Sequence, residues 1–134
     1  MSIINQFFSY DRNNVFAKIL RNELSANIVY KDNKILAFHD INPIASTHIL
    51  VIPNGEYIDY CDFLSKASSD DICHYFSTIN SMVKQFKLDQ SGFKLVTHNG
   101  KGGGQEIPHF HTHIISNQKI ESNQIRKLSQ INIF

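Results

Sequence analysis

No run of apolar residues in this chain of 134 residues is long enough to cross a bilayer. The longest strongly apolar stretch is Ile49 to Ile52, whereas a spanning helix needs about 20 such residues. A surplus of one charge is also missing: 13 Lys and Arg face 12 Asp and Glu, a net +1. General nucleic-acid binders carry a basic stripe, but here the lysines are scattered and no like charges run together. The expected partners therefore include neither nucleic acid nor a membrane. Cysteine is scarce. Cys61 and Cys73 fit no CxxC pattern, so they read as buried or free thiols in a reducing compartment, or as one disulfide. The N-terminus, Met1 to Asn14, lacks the basic start and long apolar core of a secretory signal. Cytoplasm is the expected location. Repeats, linkers and low-complexity segments are absent too, so residues 1–134 are expected to form one domain. A domain of this size buries roughly two-thirds of the surface its unfolded chain exposes.

What is present divides by periodicity. Asn13 or Asn14 can cap a short helix whose Val15, Phe16, Ile19 and Leu20 make one apolar stripe. Asn27 to Lys31 and Lys34 to Phe38 read as strands joined by the turn pair Asp32-Asn33. After a turn at Asp40 to Ser46, broken by Pro43, comes a strand from Thr47 to Ile52. Ile49 and Val51 point one way and Leu50 and Ile52 the other, as in a central strand covered on both faces. From Ser69 to Lys87, Ile72, Phe76, Ile79, Val83 and Phe86 recur at helical spacing, with Ser69 or Asp70 as cap. Phe93 to His98 and Ile107 to Ile115 read as two more strands around a glycine-rich turn. In the tail, Ile125, Leu128 and Ile131 suggest a further helix. An antiparallel sheet covered by one long helix gives an α+β fold.

The chemistry concentrates between Gly102 and Ile115. If Ile107 to Ile115 is one strand, His109, His111 and His113 share a face at roughly 6.6 Å intervals. Burying such a row without partners is expensive, and nothing structural requires it. Zinc binding is one reading, since neutral imidazole is a good ligand; yet three ligands on one straight strand converge poorly on an ion. The other reading is nucleophilic catalysis at phosphorus, with a neutral imidazole oriented by its neighbours. Gly100 and Gly102 to Gly104 permit backbone shapes that aim N–H groups at an anion, and Gln105 adds an uncharged donor. His48 lies on the strand face of Leu50 and Ile52, where a histidine is more often a hydrogen-bonded core residue than a catalyst. Asp40 is by default a solvated turn acid, but a strand-end carboxylate can also accept both hydroxyls of a ribose. His39 and His74 carry no such signal.

The run His109-Phe110-His111-Thr112-His113-Ile114-Ile115 resembles the signature of the histidine triad (HIT) family, alternating histidine with apolar residues. The similarity extends to Phe16-Ala17-Lys18-Ile19, to Leu36 through Pro43 and to Thr47 through Pro53, all in the expected order. The approach Gly104-Gln105-Glu106 looks most like the Hint branch, the histidine triad nucleotide-binding proteins. This resemblance implies a HIT-like α+β fold with a five-stranded antiparallel sheet, one long and one short helix, and a core over about 14–116. An extension, 1–13, precedes that core and a tail, 117–134, follows it. It implies a homodimer with one continuous sheet, and a pocket for a purine nucleotide such as AMP or an adenosine phosphoramidate. The implied reaction removes a substituent from the α-phosphate through a nucleotidyl-histidine on His111, with no cofactor and no metal. Alternatives are a dinucleoside polyphosphate hydrolase and a non-catalytic nucleotide-binding or scaffolding protein.

Carried over by position, His111 is the nucleophile, His113 and His109 bind phosphate and assist proton transfer, and His48 orients the nucleophile. Asp40 matches the ribose contact, Ile41 the base-side wall, and Gly104, Gln105 and Glu106 the phosphate loop; Phe16 and Phe38 line the pocket. Four features depart from the family pattern. His98 stands where an asparagine usually contacts the nucleotide, a role Asn99 can take instead. Thr112 is less apolar than usual, Ser116-Asn117 replaces a glycine-rich continuation, and the cysteine pair that binds zinc in some bacterial relatives is absent.

Overall fold

The computed structural model describes residues 9–121. Asn14 caps the first helix, α1 (Val15–Leu20), its side-chain oxygen accepting the Ala17 N–H at 2.9 Å. Strands β1 (Ile28–Lys31) and β2 (Ile35–His39) follow. Asp32 closes the turn between them by accepting the N–H groups of Lys34 and Ile35 at 2.7 and 2.8 Å, the local bond that makes aspartate a turn residue. All seven residues of β3 (Thr47–Pro53) are buried. Then come α2 (Tyr60–Lys66), α3 (Ser69–Gln85), α4 (Leu88–Ser91), β4 (Lys94–Val96), one 3-10 turn (Lys101–Gly103) and β5 (Thr112–Ser116). The sheet runs β1-β2-β3-β5-β4 with every pair antiparallel. This is an α+β architecture with the five-stranded antiparallel sheet that the resemblance implies, and β3 stands at its centre as its two-faced apolar pattern requires.

Several boundaries differ from the sequence reading. Ser68, not Ser69 or Asp70, caps α3, its hydroxyl accepting the Asp71 N–H. Helices α2 and α4 were not foreseen; with seven and four residues neither is long enough to show a period. The expected strand Phe93 to His98 shrinks to β4. Most consequentially, Ile107 to His111 is not strand. Pro108 has no N–H to offer a ladder, the His109 N–H donates back to Ile107 O, and the Phe110 N–H donates to Tyr57 O. The triad therefore spans a bend and the start of β5. Cys61 and Cys73 are exposed free thiols, neither buried nor paired. No described helix is long and apolar enough to cross a membrane. The suggested tail helix lies outside the described residues.

The sheet has two unequal faces. Val29, Ile35, Ala37, Ile49, Val51 and Ile114 pack under α3 together with Phe63 and Phe110. Phe110 stacks on Phe63 with centroids 4.8 Å apart and planes 17° from parallel. The opposite face, built on Leu36, Phe38, Leu50 and Ile52, is packed by Phe16 of α1, with Ile19, Leu20, Ala26 and Ile107 against it. Phe110→Ala should lower stability by about 3–5 kcal/mol in urea unfolding, because it opens a cavity at the centre of the core. Ile41→Ala, at a position 91% exposed, should change it by less than about 0.5 kcal/mol.

Candidate functional site

Alternation along β3 and β5 decides where the histidines go. Ile49, Val51 and Ile114 belong to the α3 side, so His48 and His113 emerge on the other face, on neighbouring strands. Their rings lie 5.1 Å apart, and His111, just before β5, stands 5.2 Å from His113. Phe16 comes down from α1 edge-on to His111 at 5.0 Å and to Phe38 at 5.6 Å. Both phenylalanines are 4% exposed, so they form the packed floor beneath the imidazoles.

Hydrogen-bond partners assign the tautomers. His111 Nδ1 lies 2.6 Å from the His109 carbonyl oxygen. A carbonyl only accepts, so Nδ1 carries the proton and Nε2 keeps its lone pair in the neutral ring. His48 Nδ1 accepts the Ile44 N–H at 3.2 Å, which puts the His48 proton on Nε2. That N–H faces His113 Nδ1 at 2.9 Å, with Asp40 Oδ2 at 3.3 Å. His113 therefore accepts at Nδ1 and holds its proton on Nε2. The ring His48 reaches is His113, not His111. His109 is fully buried, its Nε2 donating to Pro53 O at 2.8 Å and its Nδ1 accepting from the Tyr10 hydroxyl at 2.6 Å. With both nitrogens engaged, it has no atom to offer a phosphate.

Burial disfavours the charged form of the three triad imidazoles. It lowers the His111 pKa below the ordinary 6.5. It pushes His109 down to about 4, and His113 also to about 4, where the neighbouring imidazoles His111, His48 and His98 add repulsion. Asp40, His48 and His113 bring possible ligand atoms within 4.8 Å of one another. The tautomers oppose a metal there, because His48 Nε2 carries a proton and its Nδ1 is occupied by a backbone N–H.

The glycine loop is wound more tightly than an open anion nest. Gly100 and Gly104 have φ of +72° and +79°, a region side chains disfavour. The N–H groups of Gly103, Gly104 and Gln105 donate to the carbonyls of Gly100, Lys101 and Gly100 respectively. Gln105 is buried; its amide nitrogen donates to Ile58 O and Ile107 O, and its oxygen accepts the Gly100 N–H. The expected free donor is instead a brace between the loop and the triad segment. Asn99 accepts the Cys61 N–H, whereas His98, half-buried, stands edge-on to His113 at 5.5 Å. Asp40 sits at the rim with Oδ1 on the Asn42 N–H, beside the exposed Ile41; Glu106 is exposed as well. His39 and His74 lie elsewhere, His74 on Asp32 at 2.7 Å. Tyr10 is the site neighbour that sequence reasoning missed, since no motif or period marks it.

The HIT domain family matches residues 21–120. An uncharacterized HIT-like protein of Rickettsia prowazekii is 53% identical over 111 residues, which span 83% of this chain and 92% of that one. The purine nucleoside phosphoramidase of Escherichia coli is 32% identical over 106 residues, 79% of this chain and 88% of that enzyme. Among solved structures, a HIT-like protein of Bartonella henselae superposes with a TM-score of 0.73 at 28% identity, covering 91% of this chain and 98% of that one.

The lowered imidazole pKa values make a stability statement. Between the folded and unfolded values, the unfolded chain binds protons that the folded chain refuses, so stability falls as pH drops through that window. It should be level between about pH 7.5 and 9 and decline by about 3–5 kcal/mol toward pH 4.5 in urea unfolding, the half-exposed His113 contributing less than the buried His109. In an NMR titration, His109 and His113 should stay neutral until pH approaches 4.

Proposed function

The chain belongs to the HIT domain family, and on that premise we propose that it hydrolyses purine nucleotides carrying an amine on the α-phosphate. The observation that carries this reading is the His111 Nδ1–H bond to the His109 carbonyl. It presents Nε2 as a neutral nucleophile, in a ring whose pKa burial has lowered. In the first step the Nε2 lone pair forms a bond to the α-phosphorus, and the phosphorus–amine bond breaks with its electron pair going to the amine. We assign the proton that this amine takes up to protonated His98, half-buried and edge-on to His113 with centroids 5.5 Å apart. In the second step water attacks the phosphorus, gives a proton back to His98, and returns the bonding pair to His111 Nε2. The His113 Nε2–H donates to a phosphoryl oxygen throughout, held in that tautomer by His48. Asp40, at the rim, receives the ribose hydroxyls, and Ile41 covers the base. The likeness to the phosphoramidase of Escherichia coli supports an amine as leaving group.

The same proposal includes a homodimer with a continuous sheet. Among the described residues, Phe93 and Leu95 stay 37% and 45% exposed at the β4 edge, and an unpaired apolar edge invites a second copy. Sedimentation should show twice the 15.4 kDa chain mass; a 15.4 kDa species at micromolar concentration contradicts it.

The function is tested by comparing initial rates on an adenosine phosphoramidate and a diadenosine polyphosphate. The phosphoramidate should be the faster. A faster polyphosphate would move the assignment to dinucleotide hydrolysis, and no turnover of either would leave a binding protein. His111→Ala should cut turnover by at least about a thousandfold while AMP binding stays within about tenfold, since the remaining pocket is intact.

A further inference from the structure

The first triad histidine is a structural part whose own support comes from outside the HIT match. His109 is completely buried, yet its backbone carbonyl is the acceptor that fixes the His111 ring. Any rotation of residue 109 would therefore be felt at His111. Two bonds hold the His109 side chain: Nε2 to Pro53 O, at the end of β3, and Nδ1 from the Tyr10 hydroxyl. The Tyr10 ring also meets the imidazole edge-on, with centroids 5.6 Å apart. Tyr10 precedes the HIT match, which starts at residue 21.

The segment that carries Tyr10 is tied down at several points. Arg12 pairs with Glu56 through two bonds of 3.0 and 3.3 Å, and the Arg21 guanidinium donates to Arg12 O. Asp11 folds the chain into α1: its carboxylate accepts the Asn13 N–H and its carbonyl accepts from the Asn14 side chain. Pro53 ends β3 and Glu56 follows three residues later, so the Tyr10 segment is tied to the same end of β3 that holds His109 Nε2. Burial raises the Tyr10 pKa above its ordinary 10, which keeps the hydroxyl protonated and able to donate.

We infer that Tyr10 is a positioning residue for the nucleophile, acting through a relay in which its hydroxyl holds the His109 ring against Pro53 and the His109 carbonyl locks the His111 tautomer. Without the hydroxyl, His109 Nδ1 becomes a buried acceptor with no donor. Such a group is costly enough to drive a ring flip, a tautomer change or entry of water. Each of these moves the carbonyl that aims His111, and small misplacements at a reacting centre slow chemistry more than binding. The kinetic part of this inference rests on His111 being the nucleophile; the tautomer part does not.

Tyr10→Phe keeps the ring and removes only the hydroxyl. With adenosine phosphoramidate as substrate, kcat should fall about tenfold or more, with KM within about twofold. Nitrogen NMR of the histidine rings should show the His109 Nδ1 resonance leaving the hydrogen-bonded acceptor range and the His111 Nδ1–H proton signal shifting or broadening. Unchanged ring resonances would overturn the relay whatever the enzyme's substrate is. Altered resonances with unchanged kcat would overturn the positioning role. If the wild-type protein proves inactive on nucleotides, the spectra alone decide whether Tyr10 sets the His111 tautomer.

Discussion

The site depends on one hydrogen bond, from His111 Nδ1–H to the carbonyl oxygen of His109, two residues earlier at 2.6 Å. An imidazole can present either nitrogen, and a neutral ring divides its time between two tautomers unless a partner chooses. A carbonyl is an unambiguous partner because it can only accept. The remaining nitrogen, Nε2, is then an uncharged nucleophile without any further group having to remove a proton. The spacing of the triad makes this bond possible: residue 109 lies in a bend, residue 111 leads into the strand, and the carbonyl and ring close on one another.

The surroundings of that bond disfavour charge on the three triad imidazoles. The long helix α3 takes the opposite face of the sheet, so the histidine face is covered by one short helix whose Phe16 stands against His111. That cover removes enough water to depress the imidazole pKa values, and it leaves an opening at the rim where Asp40 and Ile41 sit. A second tautomer chain, from the Ile44 N–H through His48 to His113, fixes the neighbouring ring with its proton outward. The result is a lone pair and an N–H side by side, the pair of functions that attack at a phosphoryl group needs. Both follow from backbone groups choosing tautomers, and no formal charge has to be buried.

Much of this was legible in the residues. The apolar residues on both faces of Thr47 to Ile52 placed the central strand, the 3.6-residue pattern of Ile72 through Phe86 placed α3, and the three histidines marked the chemistry. The errors share a physical origin. Reading Ile107 to Ile115 as one strand put the imidazoles in a regular row, whereas Pro108 bends the chain and turns His109 into the core. Gln105 read as a free donor because its partners, Ile58 and Ile107, are carbonyls that only the fold brings near. His48 was assigned to His111, but alternation across β3 and β5 delivers it to His113. Tyr10 left no trace in the sequence, since a single tyrosine 99 positions away from its partner belongs to no local period.

The central claim is that His111 forms a covalent bond to phosphorus, and trapping that bond tests it most directly. The interval between Lys101 and Lys119 contains no other basic cleavage residue, so trypsin releases all three triad histidines on one peptide, Gly102 to Lys119. After mixing with an adenosine phosphoramidate and rapid quenching in base, where phosphorus–imidazole bonds survive, this peptide should carry a nucleotidyl group. Fragmentation should place it on His111. A group on His109 or His113, or an unmodified peptide under conditions of rapid turnover, would contradict the account.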